Sequence, residues 1–187
     1  MPKSVTFDRE EVIEKVMDLF WVKGYNGTSM QDLVDVTGLN RSSFYNTFGD
    51  KFSLFEESIK HYQTKQDTLL QQNFTTAHSP RQAIVSLFRS IGKDISSGNQ
   101  KGCMITSCTT ELSNDPKVKN FLIENKSRVV GSFAKLITEA QKKGEISDAK
   151  NAETLALFLF SSLQGLRITS MLDADLEAVT EEILSVL

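Results

Sequence analysis

Cysteine, histidine and proline are scarce in this chain of 187 residues, and each scarcity excludes something. If one helix carries both cysteines, Cys103 and Cys108, their side chains leave on different sides and cannot bridge. His61 and His78 lie far from them in sequence, no spacing resembles a zinc motif, and neither a metal nor a cofactor is expected. Of the three prolines, Pro80 and Pro116 each follow a capping residue, Ser79 or Asp115, and read as first-turn prolines that open helices. No apolar run approaches the roughly 18 to 20 residues of a spanning helix. The opening MPKSVTFDREEV also lacks the apolar core of a secretion signal, so a cytoplasmic protein with no membrane partner is expected.

What is present fits a globular protein. Hydrophobic residues make up 40% and charged residues 24%, and the length suffices to bury a core without metals or disulfides. The net charge of −3 is unevenly spread. Residues 145–187 carry two basic and eight acidic side chains, which leaves 19 basic and 16 acidic ones before them. A negatively charged partner would therefore prefer the earlier part, although residues 1–51 alone hold six basic and eight acidic groups.

Apolar residues recur at helical spacing almost throughout, as in Val12, Val16, Leu19 and Phe20, or Leu54, Phe55 and Ile59. Strict alternation never persists long enough for a sheet. With turns near Gly98, Gly102 and Gly144, the pattern predicts an all-α fold with helices at 8–23, 29–36, 40–47, 50–74, 80–96, 103–113, 115–143, 149–171 and 174–187. The first three helices form a small head, taken as residues 1–50, and residues 51–187 form a body. The head helices are too short to stand alone, so the fourth helix is expected to supply part of their core.

The segment GLNRSSFYNTF, residues 38–48, then acquires a meaning. On a helix, Phe44 and Phe48 lie one turn apart and can face the core, while Arg41, Ser42, Tyr45 and Asn46 point elsewhere. Asn40 is a natural N-cap, and Gly38 can take the left-handed conformation of a tight inter-helix turn. This is a helix-turn-helix pattern whose second helix can enter a major groove. Arg41 can pair with guanine and Asn46 with adenine or a phosphate. Ser42 and Ser43 allow close approach, and Tyr45 offers a hydroxyl. Thr28 and Ser29 at one helix start, and Lys51 at another, are candidate phosphate contacts.

Residues 18–55 closely resemble the DNA-binding head of the tetracycline-repressor (TetR) family, through Phe20, Gly24-Tyr25, Thr28-Ser29, Leu33, Gly38-Leu39, Phe44-Tyr45, Phe48, Lys51 and Leu54-Phe55. The resemblance implies a homodimeric transcription regulator, usually a repressor, released from a palindromic double-stranded DNA operator by a small-molecule ligand. Arg41 stands where lysine is frequent and Asn46 where histidine is common, departures that bear on the operator sequence and not on the fold.

In the body, Phe74, Phe88, Phe121, Phe133, Phe158 and Phe160 are more often core than pocket, yet Phe88, Phe121, Phe133 and Met104 are candidates to line a ligand site. Cys103 follows Gly102 at an expected helix start with Lys101 close by, a setting that favours a reactive thiolate, whereas Cys108 sits deeper in the helix. The runs GCMITSCTTELSNDPKV, AQKKGEIS and LQGLR also resemble a TetR subgroup that includes electrophile- and oxidant-responsive repressors with a cysteine at the position of Cys103. The last two helices carry more apolar surface than one side can hide. Leu155, Leu159, Leu163, Gly165, Leu166, Leu176, Val179 and Ile183 are candidate dimer contacts, and the resemblance implies a four-helix interface built from two such pairs. No general base is tied by sequence to Cys103, so an enzyme is not expected. A helical adaptor or a thiol-dependent enzyme using Cys103 is the alternative.

Overall fold

The computed structural model describes residues 8–96, 101–172 and 176–187, and among these the regular secondary structure is helical throughout. The helices are α1 (Arg9–Gly27), α2 (Met30–Thr37), α3 (Arg41–Phe48), α4 (Lys51–Thr76), α5 (Pro80–Ser96), α6 (Met104–Leu112), α7 (Pro116–Lys142), α8 (Ala152–Thr169) and α9 (Glu177–Leu184), with a 3-10 turn at Ser170–Leu172. The expected all-α fold is what forms. Residues 1–7 of the opening segment, the turn expected near Gly98 and the helix start expected at residue 174 lie outside the described residues.

Local chemistry sets most boundaries. Asp8, Ser29, Asn40, Asp115 and Asn151 cap the helices that follow them by accepting hydrogen bonds from backbone N–H groups of the first turn. Pro80 and Pro116 open α5 and α7, where a missing N–H costs nothing. Helix α1 runs further than its apolar periodicity suggests, to Gly27, with a break at Gly24 (φ 73°, ψ 168°).

The chain divides into two compact units, a head ending at Gln66 and a body beginning at Asp67. The division falls inside α4 and not at residue 50, because Leu54, Phe55, Ser58, Ile59 and Tyr62 of α4 are buried in the head. There they join Val16 and Phe20 of α1, Leu33 of α2, and Phe44 and Phe48 of α3, with the Phe20 and Phe55 rings edge to face at 5.2 Å.

In the body, α7 packs on α5 and α8, and α5 also meets α9. The core combines Ile84 and Phe88 of α5, Phe133 and Ile137 of α7, and Leu155, Leu159, Leu163 and Leu166 of α8. The spacing of the four leucines explains their common fate, since residues four or three apart share one helix face. Four of the expected dimer contacts on α8 are therefore core of this chain, and Leu176 is likewise buried within it. Helix α8 is apolar on its other side too, where Leu157, Phe158 and Ile168 are 44–48% exposed. With its 3-10 turn, Ala152–Leu172 is long and apolar enough to cross a membrane by length and composition, a feature the sequence reading passed over. A third of that stretch, including Leu155, Leu159, Leu163 and Leu166, is buried inside the protein.

Phe88 and Phe133 pack with ring centroids 6.2 Å apart at the centre of this core. Phe133→Ala should therefore cost about 3–5 kcal/mol, read as a lowered urea midpoint for the body with helix content retained in the native baseline.

Candidate functional site

Helix α3 has only eight residues and holds its place through Phe44 and Phe48, both buried. Their burial fixes the rotation of the helix, so Arg41, Ser42, Tyr45 and Asn46 all emerge on one exposed face. Tyr45 is 49% exposed and its ring stands edge-on to Phe44 at 5.7 Å, an arrangement that steadies the side chain and leaves its hydroxyl outward. Arg41, Ser42 and Asn46 make no side-chain hydrogen bond among the described residues, so their donors and acceptors are available. Ser43 is half-buried, and its N–H donates to the Asn40 cap at 2.9 Å. Gly38 takes the left-handed conformation (φ 68°) that turns the chain between α2 and α3.

The expected phosphate contacts are arranged differently. Thr28 is buried, and its hydroxyl donates to the Gly24 carbonyl at 2.7 Å, so it closes the end of α1 and its side chain does not face outward. Ser29 is exposed but forms a capping box with Asp32: the Asp32 N–H donates to the Ser29 hydroxyl oxygen, and the Ser29 N–H donates back to the Asp32 carboxylate at 2.8 Å. A carboxylate thus already occupies the N-terminus of α2. Lys23 donates to it at 2.6 Å, and that contact, followed by the hydrogen bonds from Ser29, holds the Asp32 carboxyl far below the usual carboxylate range. Lys51 donates to the Thr28 carbonyl, and its ammonium lies 4.5 Å from the Tyr25 ring centroid. It braces the turn between α1 and α2 from the start of α4.

Two ionic clasps absent from the sequence reading hold α1 to α4. Arg9 pairs with Glu57 through both carboxylate oxygens, at 2.9 and 2.7 Å, while its guanidinium lies 4.9 Å from the Phe48 ring centroid at the end of α3. Glu14 accepts from Lys65 and shares a hydrogen bond with His61 Nε2 at 2.8 Å. The Lys65 contact lowers its carboxyl below the ordinary glutamate value against an opposing effect of burial, and the His61 contact lowers it further. Partners 47 or more positions apart leave no local periodicity by which to find them.

In the body, Cys103 is the N-cap residue of α6 but is only 3% exposed, so the accessible thiol expected from sequence is a buried one. The cation at its sulfur is Arg167 of α8, whose Nη1 donates to Sγ at 3.2 Å. Gly102 beside it has φ 66°, and a Cβ there would come within 2.9 Å of Met171 Sδ and 3.1 Å of the Arg167 carbonyl. Burial pushes the Cys108 thiol up to about 12, with Glu111 and Cys103 adding to it, which leaves a neutral apolar filler. Met104, Phe88 and Phe133 are buried in packed core, and Phe121 is half-buried. None of them lines the apolar cavity found in the body.

That cavity, about 380 Å³, lies between α6, α7 and α8. Ile105, Leu122 and Phe160 wall it, and Thr106, whose hydroxyl donates to Gln164 Oε1 at 3.2 Å, supplies a polar spot with its partner. Gln164 was the signal available in the sequence: an amide inside the apolar run LFLFSSLQGLRIT.

Residues 12–58 match the family model for bacterial regulatory proteins of the tetR family, and residues 80–184 match that for the tetracyclin repressor-like C-terminal domain. The chain belongs to the TetR family. It is 30% identical over 181 residues to the HTH-type transcriptional repressor ComR of Escherichia coli (strain K12), covering 94% of this chain and 85% of ComR. To the HTH-type transcriptional regulator YezE of Bacillus subtilis (strain 168) it is 25% identical, over 98% of this chain and 96% of that one. A solved structure of the TetR family regulator CifR, as a cysteine mutant with 26-bp double-strand operator DNA, superposes with a TM-score of 0.85 at 26% identity, over 96% of this chain and 97% of that chain. TetR membership makes this chain a DNA-binding transcription regulator and not an enzyme.

Two outcomes follow for the head. Glu14→Gln should lower its unfolding free energy at pH 7 by less than about 1 kcal/mol, read by urea titration, because the clasp is partly exposed. A depressed carboxyl pKa stabilises only above its unfolded value, so the difference from the parent protein should shrink as pH falls below about 4.3. Lys51→Met should weaken the head's thermal stability through the brace it removes, measurable by a melt followed at Trp21.

Proposed function

We propose that this TetR-family protein is a cytoplasmic homodimeric repressor that reads an inverted-repeat operator with α3 of each protomer and releases it when a small molecule enters the body cavity. The observation that carries this reading is the exposed face of α3: Arg41, Ser42, Tyr45 and Asn46 stand together with their polar groups outward on a helix whose apolar side is fully used. Arg41 is suited to a bidentate contact with guanine, and Asn46 to an adenine edge. The N–H groups of the first turn of α3 near Asn40 are the remaining candidates for phosphate contact, while Thr28, Ser29 and Lys51 hold the frame. CifR, captured on its operator, offers a precedent for DNA binding by a chain of this fold.

The second copy is assigned to the outer side of α8 and α9. Leu157, Phe158, Ile168 and Val179 are all more than two-fifths exposed, Gly165 is exposed among them, and Leu172 in the 3-10 turn is 75% exposed. Pairing this face with itself would hide apolar surface that a monomer leaves in water, and a two-headed reader needs half-sites about one helical turn apart. Control requires a ligand that binds one arrangement of the heads better than the other. Helix α4 is the chain segment common to both units and is the proposed lever.

A covalent switch at Cys103 receives less support. Arg167 would stabilise a negative sulfur, but burial withholds that sulfur from electrophiles in bulk water. Labelling of the folded protein by N-ethylmaleimide within minutes, lost in Cys103→Ser, would restore it.

Selection from a random duplex library at stated salt should enrich an inverted repeat, and failure to enrich any sequence from folded protein would sink the reading. Against the selected site, Arg41→Ala should cost about 1–3 kcal/mol of binding with the melting temperature unchanged. Leu157→Glu combined with Ile168→Glu should yield a folded monomer in sedimentation, with operator affinity falling together with dimerisation.

A further inference from the structure

The cavity between α6, α7 and α8 has a chemical polarity that narrows what can occupy it. Its apolar walls suit a small hydrocarbon body, and its volume of about 380 Å³ is near the lower end for small-molecule sites. No aspartate or glutamate lines it, but two lysines do. Lys119 and Lys126 are seven positions apart on α7, which places them on one face two turns from each other, and both are exposed. Neither ammonium has an ion-pair or hydrogen-bond partner among the described residues, in a chain whose net charge is −3.

The polar spot in the wall has the same preference. Gln164 Oε1 already accepts from Thr106, while the Gln164 amide NH2 makes no hydrogen bond among the described residues. The remaining hydrogen-bonding capacity on that amide is a donor, as are both lysines. A ligand cation would find two like charges and no acid, whereas an acceptor carrying one negative charge would find unspent donors.

We propose that the cavity binds a small amphipathic carboxylate, with its hydrocarbon body against Ile105, Leu122 and Phe160 and its charge toward Lys119 and Lys126. Binding of this class stands on the cavity alone; its action as the effector that releases DNA rests on the repressor reading above.

The test is titration calorimetry of the full-length protein with three probes of one skeleton: 4-butylbenzoate, 4-butylbenzamide and 4-butylbenzylamine. The benzoate should bind tighter than the amine by about threefold to tenfold at low salt, a modest margin because the lysines are exposed. The margin should narrow at high salt. It should vanish in the Lys119→Gln, Lys126→Gln double variant, which retains the benzamide. Equal affinity for benzoate and benzylamine, an undiminished margin in the double variant, or no binding of any probe would each overturn the proposal. Operator affinity measured alongside separates the two readings. A benzoate that binds by this pattern without loosening DNA upholds the cavity's chemistry and removes its effector role. Release by all three probes alike upholds the effector role and removes the carboxylate preference.

Discussion

Burial of Phe44 and Phe48 is the constraint on which the proposed DNA-facing surface depends. An eight-residue helix has too few internal hydrogen bonds to offset the cost of nucleating it in water, so α3 exists because two rings one turn apart are driven into the head. The same act chooses which side chains remain outside. Rotating α3 by one residue would expose a phenyl ring and bury Arg41, two penalties at once, so the recognition face is locked to the core by geometry. The Asn40 cap, the turn at Gly38 and the Arg9–Glu57 clasp over Phe48 each reinforce that rotation from a different side. The fold of the head and its chemistry are thus one problem solved by one pair of residues.

Helix α8 plays the corresponding part in the body, with a different outcome on each side. Its leucines at helical spacing close the core against α7, Gln164 faces the cavity, and Leu157, Phe158 and Gly165 are left in solvent. Ile168 belongs to two of these settings, since it lines the cavity and is 45% exposed. A molecule in the cavity and a second copy on the outer face would therefore press on the same side chain, which gives the proposed effector and the proposed dimer a physical means of sensing each other.

The helices, their caps and the exposed polar face of α3 were legible in the sequence because each rests on neighbours within one or two turns. Phe44, Phe48 and Asn40 announce their roles locally, as do Pro80 and Pro116. What escaped was set by distant partners or, at Thr28, by the break in α1 at Gly24. Thr28 and Lys51 look like phosphate ligands at helix starts, and only the folded head shows the threonine hydroxyl turned to Gly24 and the lysine committed to the Thr28 carbonyl. Cys103 looks exposed at a helix start until α8 lays Arg167 over it. In the last helices the apolar excess was evident, but periodicity alone could not say which leucines serve the core and which face outward.

The charge of the head shows why a sum misleads and a partner list does not. Acids outnumber bases over residues 1–51, which argues against an affinity for DNA. In the folded head, however, Glu11, Glu14, Asp32, Glu56 and Glu57 each have a basic partner. The pairing consumes Arg9, Lys15, Lys23, Lys60 and Lys65 as well, and Lys51 is held by a carbonyl and a ring. Arg41 is then the basic side chain of the described head with no partner, and it stands on the recognition face. A surface with one uncommitted cation gains little from counterion release, the sequence-independent part of DNA binding. On the proposed reading, selectivity between sites comes from base edges met by α3, so the weak net charge favours a regulator that discriminates over one that merely adheres.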